Sequence, residues 1–219
     1  PTGRPLSLLT FLLNDNNWPS DPRSFKTTNL LIHLLCGVML FWASLRVLIF
    51  YGYQRQEAEA AALLSAGLWL LHPMMVSTTL YVVQRMAQLS TLFVLVGITG
   101  YLIAREQIGS NRRSSCFWMS LSVGLCTLLA TLSKENGALL PMLILAIEFC
   151  RPPSMVSKKP VWWRVWQAVF LWLPSLLILL YLASRITLLD DPWPNRPFNQ
   201  IERVLSEARI IWDYIFHLL

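Results

Sequence analysis

The sequence has little charge, and its cysteines lack the spacing of a metal site. Only 14% of its 219 residues are charged while 55% are hydrophobic, a balance that excludes an ordinary soluble domain. No GxxxxGK[ST], GxGxxG, HExxH or GxSxG motif is present, which disfavours common nucleotide, zinc-protease and serine-hydrolase chemistries. No CxxC pair occurs either, so packed thiols are favoured over a disulfide framework or a zinc site for Cys36, Cys116, Cys126 and Cys150.

The positive charge of the chain is not arranged for binding nucleic acid. The formal net charge is +6, but the basic residues are spread between long apolar runs and do not gather on one polar face. Ten Trp and six Tyr in this apolar setting suit rings that lie at the membrane–water boundary. We therefore expect membrane lipid, and no nucleic acid, among the partners.

What the sequence does contain is a series of long uncharged runs. A bilayer core of about 30 Å needs about 20 apolar residues per crossing helix. Five runs lack Asp, Glu, Lys and Arg, and they are 27–45, 60–84, 86–104, 114–133 and 165–184. A sixth, shorter run, 136–150, carries only one charged residue, Glu148. The sequence predicts an all-α polytopic membrane protein with about six transmembrane helices of unequal length within residues 27–184.

Proline interrupts two of these runs. The His72-Pro73 pair breaks the second run, because proline cannot donate to the helix ladder and disfavours helix in the residue before it. We expect a short crossing over 59–71 and a separate helix over 73–84 at the far interface. Pro141 lies in the shortest run, so helices of unequal length are expected to surround a cavity that is open to one side.

The basic residues of the connections predict the orientation. The two connections on one side carry one cation each, Arg85 and Lys134. The connections on the other side carry nine, which are Arg46, Arg55, Arg105, Arg112, Arg113, Arg151, Lys158, Lys159 and Arg164. The positive-inside rule places the nine-cation side in the cytoplasm. Residues 1–26 and everything after Ser184 then face outward.

The two ends are not expected to span the membrane. Residues 4–14 form a short apolar stretch followed by a polar, proline-punctuated loop, and residues 185–219 form a turn-rich loop and an amphipathic helix along the outer surface. Asp190 and Asp191 in that loop are a pair that a metal could bind, although a solvated turn is favoured. The whole chain, 1–219, is interpreted as a fragment of one transmembrane domain, with further sequence expected at both ends.

The two lone cations of the outer side are candidate ligands for an anion. Arg85 starts the third predicted helix, and Lys134 lies between two helices. A cation beside a helix N-terminus can form a phosphate-binding site, because the free N–H groups of the helix point toward the anion. The alternative for each is an anchor that snorkels to the interface. Glu135, His72 and His33 are supporting polar candidates, with a helix-dipole interaction, a helix cap and a buried polar contact as their respective structural alternatives.

Five segments, in this order and spacing, resemble one known family. They are GRPLSLLTFLLN (3–14), FKTTNLLIHLL (25–35), HPMMVSTTLYVVQRMAQLS (72–90), LSKENGALLP (132–141) and EARIIWDYIFHLL (207–219). The sequence resembles the membrane portion of bacterial tetratricopeptide-repeat inner-membrane proteins. These are related to the eukaryotic transmembrane O-mannosyltransferases with tetratricopeptide repeats, in the GT-C superfamily of glycosyltransferases.

The resemblance implies a multi-pass enzyme of the bacterial inner membrane with a periplasmic active face. Such an enzyme takes a sugar from a polyprenyl-phosphate carrier and passes it to a hydroxyl acceptor, commonly on protein. Arg85, Lys134 and Arg4 of the RPLS motif match the basic positions that would hold the carrier phosphate. The resemblance implies a catalytic base upstream of Pro1 and a tetratricopeptide-repeat array beyond Leu219. It is compatible with a divalent metal and implies no other cofactor.

One departure and several alternatives stay open. In the mannosyltransferase relatives a Glu commonly follows the H-P pair, whereas this chain has MMVSTT with Ser77 near that place, so the sugar is not fixed. A transporter or flippase for a lipid-linked or anionic substrate would also use broken helices. A non-catalytic membrane scaffold is another alternative, as is a ligase or polymerase of lipid-linked oligosaccharides.

Overall fold

The described part of the chain folds into helices joined by short turns. The computed structural model describes residues 4–14, 21–152, 160–187 and 200–218, and no strand occurs within these ranges. The α-helices are α1 (Pro5–Leu12), α2 (Pro22–Phe50), α3 (Arg55–Leu71), α4 (Met74–Leu80), α5 (Arg85–Glu106), α6 (Arg112–Ser133), α7 (Leu140–Phe149), α8 (Val161–Gln167), α9 (Leu173–Thr187) and α10 (Gln200–Leu218). The predicted all-α class is confirmed.

Several of these segments are long and apolar enough to cross a membrane. In the described residues there are four, Pro22–Phe50, Val82–Gly109, Arg112–Ser133 and Val161–Ser184, and the bent pair α3–α4 makes a fifth if it counts as one broken span. The run predicted as a sixth crossing forms only α7, whose 10 residues extend about 15 Å at 1.5 Å per residue. This is half of a hydrocarbon core of about 30 Å. The protein is a multi-pass membrane protein with four or five candidate spans in this part of the chain.

The helix boundaries follow from local chemistry. Asp21 caps α2 by accepting a hydrogen bond from the Arg23 amide at 2.9 Å, and a proline follows it at the first helical position. His72 has an extended backbone (φ −65°, ψ 129°), as expected before a proline, and α3 and α4 are bent by 64° at this point. The predicted break at His72-Pro73 is confirmed.

The outer faces of the helices carry uncovered leucines. On α2, Leu31 and Leu35 are more than half exposed, and on α3 Leu63, Leu64 and Leu68 are about two-thirds exposed. A contiguous apolar surface of this kind is unfavourable in water and favourable in lipid. The exposure pattern therefore agrees with helices that face a bilayer.

The core forms where α5 packs against α2, α6 and α7. Tyr101 and Leu102 of α5 have no exposed surface, and neither have Leu140 and Ile144 of α7. Gly97 allows this approach, since a Cβ there would lie 2.6 Å from the Leu140 side chain. Small residues at the interfaces of membrane helices let the backbones approach closely. The short helix α7 is thus held inside the bundle.

A tight turn connects α6 to α7, and a substitution in this turn tests how closely it packs on α6. Residues Glu135–Leu139 form a 3₁₀ turn that folds back on α6, and a Cβ on Gly137 would lie 2.2 Å from the carbonyl carbon of Ala130. We expect Gly137→Ala to destabilise the protein by about 1–3 kcal/mol, the usual cost of overpacking. Gly124→Ala is the control, because a Cβ on Gly124 meets nothing within 4 Å. Thermal unfolding in detergent measures both, and equal melting temperatures would contradict the predicted clash.

The last part of the chain forms a compact unit of its own. Residues 179–219 separate from residues 1–178, and the boundary falls within α9. In this second unit α10 covers the stretch in which the sequence predicts an amphipathic helix. Its place on the outer membrane surface stays a prediction. Asp190 and Asp191 lie outside the described residues.

Candidate functional site

Helix α1 brings three of the predicted site residues to one end of the bundle. Arg4 precedes this helix and donates three hydrogen bonds to the Glu135 carboxylate, at 2.8, 2.8 and 3.0 Å. Ser7, which is fully buried, donates to the carbonyl oxygen of Ser133 at 2.9 Å. The start of α1 is therefore fixed to the end of α6, beside Lys134.

The Arg4–Glu135 pair is held at the surface with a defined geometry. The side chains of Arg4 and Glu135 are 31% and 65% exposed. The hydrogen bonds from Arg4 hold the pKa of Glu135 below its ordinary value, and the backbone amide of Glu135 adds to this. The carboxylate is therefore ionised at neutral pH. It is suited to orienting Arg4 and poorly suited to exchanging a proton with a substrate.

Lys134 lies next to this pair and keeps its charge available. Its backbone is extended (φ −157°, ψ 145°) and caps the end of α6, and the residue is half-buried. Within the described ranges no side chain or carbonyl oxygen binds its ammonium group. Lys134 and Arg4 thus place two cations around one carboxylate, and this cluster of Arg4, Lys134 and Glu135 is called the Lys134 cluster below.

Arg85 lies at the other end of α1 and is buried. Its guanidinium donates to the carbonyl oxygens of Thr10 (2.9 Å) and Phe25 (3.0 Å), and it donates to the side-chain oxygens of Asn14 and Asn29 as well. Its centre also lies 4.7 Å from the centroid of the Phe11 ring. The cation therefore joins the end of α1 to α2 and to the start of α5.

The burial of Arg85 changes the role that the sequence suggests for it. A direct bond to a carrier phosphate requires accessible N–H groups, and the side chain of Arg85 has no exposed surface in this structure. Its hydrogen bonds instead hold α1 against the bundle. Arg85 therefore holds the C-terminal end of α1, and the Lys134 cluster lies at the opposite end of the same short helix.

The two predicted histidines do not join the cluster. The ring of His72 accepts a hydrogen bond from the amide of Met74 at 3.2 Å, which is the helix-capping alternative. His33 is 5% exposed, its Nε2 lies 3.2 Å from the carbonyl oxygen of Leu70, and its ring packs on Trp69 at 4.8 Å. Since a carbonyl oxygen only accepts, Nε2 carries the proton. Neither ring contacts Arg4, Lys134 or Arg85.

The two amides that hold Arg85 were not predicted from the sequence. Asn29 is fully buried, and its side chain accepts from Arg85 and donates to the carbonyl oxygen of Tyr81 at 3.1 Å. An amide inside an apolar helix is the signal that marks this position, because polar groups at membrane depth need a partner. Asn14 has no such signal, since it lies at the end of the short stretch 4–14.

No metal site is formed by the described residues. Nowhere in ranges 4–14, 21–152, 160–187 and 200–218 do three or more His, Cys, Asp or Glu side chains come together in the way a metal ion requires. The question of a divalent metal stays open, because Asp190 and Asp191 lie in the undescribed part of the chain.

The Arg4–Glu135 pair leads to a prediction about pH. We expect Arg4→Ala and Glu135→Gln to weaken the docking of α1 to the same extent, and the double variant to be no worse than either. Because the pKa of Glu135 is lowered by folding, the pair contributes fully above the ordinary pKa of Glu and is lost as the pH falls through the lowered value. Protease resistance of α1, followed from neutral to acidic pH, measures this. Additive losses, or a loss beginning above pH 6, would contradict the pairing.

Comparison with known proteins gives one consistent group of relatives. No family model matches the chain, and no solved structure matches it. The chain is 34% identical over 143 residues to the human protein O-mannosyl-transferase TMTC4 and 31% identical over 144 residues to the mouse protein, in each case across 61% of this chain. The match spans about a fifth, 19%, of the length of those relatives. Over the matched residues the chain is thus similar to two proteins named protein O-mannosyl-transferase TMTC4.

Proposed function

We propose that the protein to which this chain belongs is a glycosyltransferase. It moves a sugar from a polyprenyl-phosphate carrier to a hydroxyl group on a protein, at the membrane face that carries the Lys134 cluster. The observation that carries this proposal is the similarity to protein O-mannosyltransferases across 61% of the chain. Mannose is accordingly the first sugar to test.

The Lys134 cluster supplies the electrostatics that this reaction needs. The carrier phosphate leaves with an additional negative charge, and fixed cations stabilise that charge as it develops. Lys134 has an ammonium group that no described residue binds, and Arg4 is bound to the adjacent Glu135. In this proposal Lys134 holds the phosphate, Arg4 supports it, and Glu135 keeps Arg4 in place.

The acceptor hydroxyl needs a base that the cluster does not offer. A general base works best when its pKa lies near the working pH, and Arg4 shifts the pKa of Glu135 in the other direction. In this proposal the cluster serves the donor side of the reaction, and the base for the acceptor comes from another part of the protein.

In this proposal the Lys134 cluster faces the periplasm. The positive-inside rule supports this orientation, because it puts the side with nine cations in the cytoplasm. The resemblance to bacterial inner-membrane proteins is the reason for naming the periplasm as the opposite compartment. A lipid-linked donor presented in the outer leaflet would then reach the cluster from the side.

Sealed vesicles distinguish this function from transport. The full-length protein is reconstituted with a labelled polyprenyl-phosphate mannose in the presence of a periplasmic or secretory protein fraction. We expect label to be attached covalently to protein, in amounts that scale with the enzyme. Movement of the labelled lipid between leaflets without attachment would favour a flippase. Neither attachment nor movement, with any of several lipid-linked sugars, would favour a scaffold.

A further inference from the structure

A polar pocket lies at the end of the bundle opposite to the Lys134 cluster. Its volume is about 380 Å³, and Phe50 of α2, Arg105 and Glu106 of α5, and Arg151 after α7 line it. Phe25 of α2 accepts a hydrogen bond from Arg85 and so marks the end of the bundle at which α1 lies. Phe50 is 25 residues further along α2, which corresponds to about 38 Å at 1.5 Å per residue. The pocket is therefore remote from the site of the proposed sugar transfer.

The two carboxylates near this pocket are each bound by an arginine. Glu106 pairs with Arg46 at 3.0 Å, and Glu148 accepts a hydrogen bond from Arg105 at 2.9 Å. The hydroxyl of Tyr101 also donates to Glu148, at 2.9 Å. These bonds leave the carboxylates neutralised, so neither of them repels a further anion strongly.

Arg151 adds a positive charge that no described carboxylate balances. Among the described residues it forms no ion pair, and its Nε is buried without a hydrogen-bond acceptor. Its guanidinium centre lies 4.4 Å from the centroid of the Phe50 ring, and the Arg105 centre lies 4.1 Å from that of Trp163. Each guanidinium group is thus held against an aromatic face by a cation–π contact. Among the described residues that line it, the pocket thus has two arginines, Arg105 and Arg151, and one carboxylate, Glu106.

We propose that this pocket binds a phosphoryl group. Arginine forks donate to phosphate oxygens in pairs. Arg151 is half-buried and forms no ion pair with a described residue, so it gains a partner from such a ligand. Gly52 and Gly109 line the pocket as well, and without side chains they leave room for the group. At a membrane boundary this chemistry is offered by the headgroup of an anionic phospholipid or by free phosphate.

Titration of the purified full-length protein with lipid tests the proposal. Retention of phosphatidylglycerol is measured by native mass spectrometry, with inorganic phosphate as a competitor. We expect Arg151→Gln to weaken retention at least fivefold and Arg151→Lys to weaken it less, because lysine keeps the charge and loses the fork. Arg55→Gln is the matched control at the same end of the bundle, since Arg55 is 80% exposed and pairs with Glu59.

The results distinguish free phosphate from a lipid headgroup as the source of the phosphoryl group, and they show whether the pocket binds one. Competition by inorganic phosphate would support the assignment with free phosphate as the source, and retention despite phosphate would support it with the lipid headgroup as the source. Wild-type retention by both Arg151 variants would overturn the proposal. An equal loss in Arg55→Gln would overturn it too, because the effect would then reflect general surface charge. If Arg151→Gln fails to fold, the Arg151→Lys variant carries the test.

Discussion

Changing Lys134 to alanine is expected to lower kcat/KM for sugar transfer at least tenfold, which corresponds to about 1.4 kcal/mol of transition-state stabilisation. The ammonium group lies beside the Arg4–Glu135 pair and no described residue binds it, so its removal leaves the developing phosphate charge without its nearest cation. Membrane insertion and thermal stability are expected to stay at the wild-type level. Transfer from a labelled lipid-linked sugar, at subsaturating donor, measures the effect.

A matched variant controls for general loss of positive charge. Lys26 lies in the first turns of α2, is exposed, and belongs to the same predicted outer side as Lys134. Lys26→Ala is expected to leave transfer unchanged, while Lys134→Arg is expected to restore much of it because the charge is kept. Wild-type transfer by Lys134→Ala would show that the lysine is an interfacial anchor and not a phosphate ligand.

Changing Arg85 to alanine is expected to abolish transfer more completely and for a different reason. Four acceptors would lose their donor: Thr10 in α1, Asn14 just after it, and Phe25 and Asn29 in α2. Asn29 is fully buried, and an unsatisfied buried group costs about 1–3 kcal/mol. Helix α1 would then detach at its C-terminal end, and Arg4 at its other end would no longer be held in place. We expect a loss of transfer well beyond tenfold together with faster proteolysis of α1.

Arg85→Lys separates positioning from direct phosphate binding. A lysine keeps the charge but has no planar fork, so it does not serve four acceptors in their present geometry. We therefore expect Arg85→Lys to remain impaired and proteolytically sensitive, in contrast to Lys134→Arg. Recovery of transfer in Arg85→Lys without recovery of protease resistance would instead indicate a phosphate ligand.

The long helices could be predicted because their cause is local. Four of the five uncharged runs lie in continuous helical segments, and the fifth, 60–84, is broken at His72-Pro73, where the missing N–H of proline ends the helix ladder. Pro141 is the exception. It lies in the first turn of α7, where a proline is compatible with a helix, and so it begins the helix and does not interrupt it. The run preceding it forms a 3₁₀ turn, which is why this segment falls short of a crossing.

The candidate site was less accessible to sequence reasoning because its contacts are distant in the chain. Arg4 and Glu135 are 131 residues apart, and Arg85 and Thr10 are 75 apart. The charge pattern identified Arg85 and Lys134 as unusual on their side of the membrane, and Arg4 was added by the family resemblance. It did not distinguish the available cation from the buried one, because that difference depends on how the short helix α1 packs. The only hint in the sequence is Asn29, a polar residue within an apolar run.

The sidedness of the bundle is the most direct test of the account. In a background without the exposed Cys150 and half-buried Cys116, single cysteines at Asn136 and Arg55, both exposed, are labelled in sealed vesicles with a membrane-impermeant maleimide. The account predicts that Asn136→Cys, next to the Lys134 cluster, reacts from the periplasmic side and that Arg55→Cys reacts only after the vesicles are opened to the cytoplasmic side. Labelling of both cysteines from one compartment would contradict it.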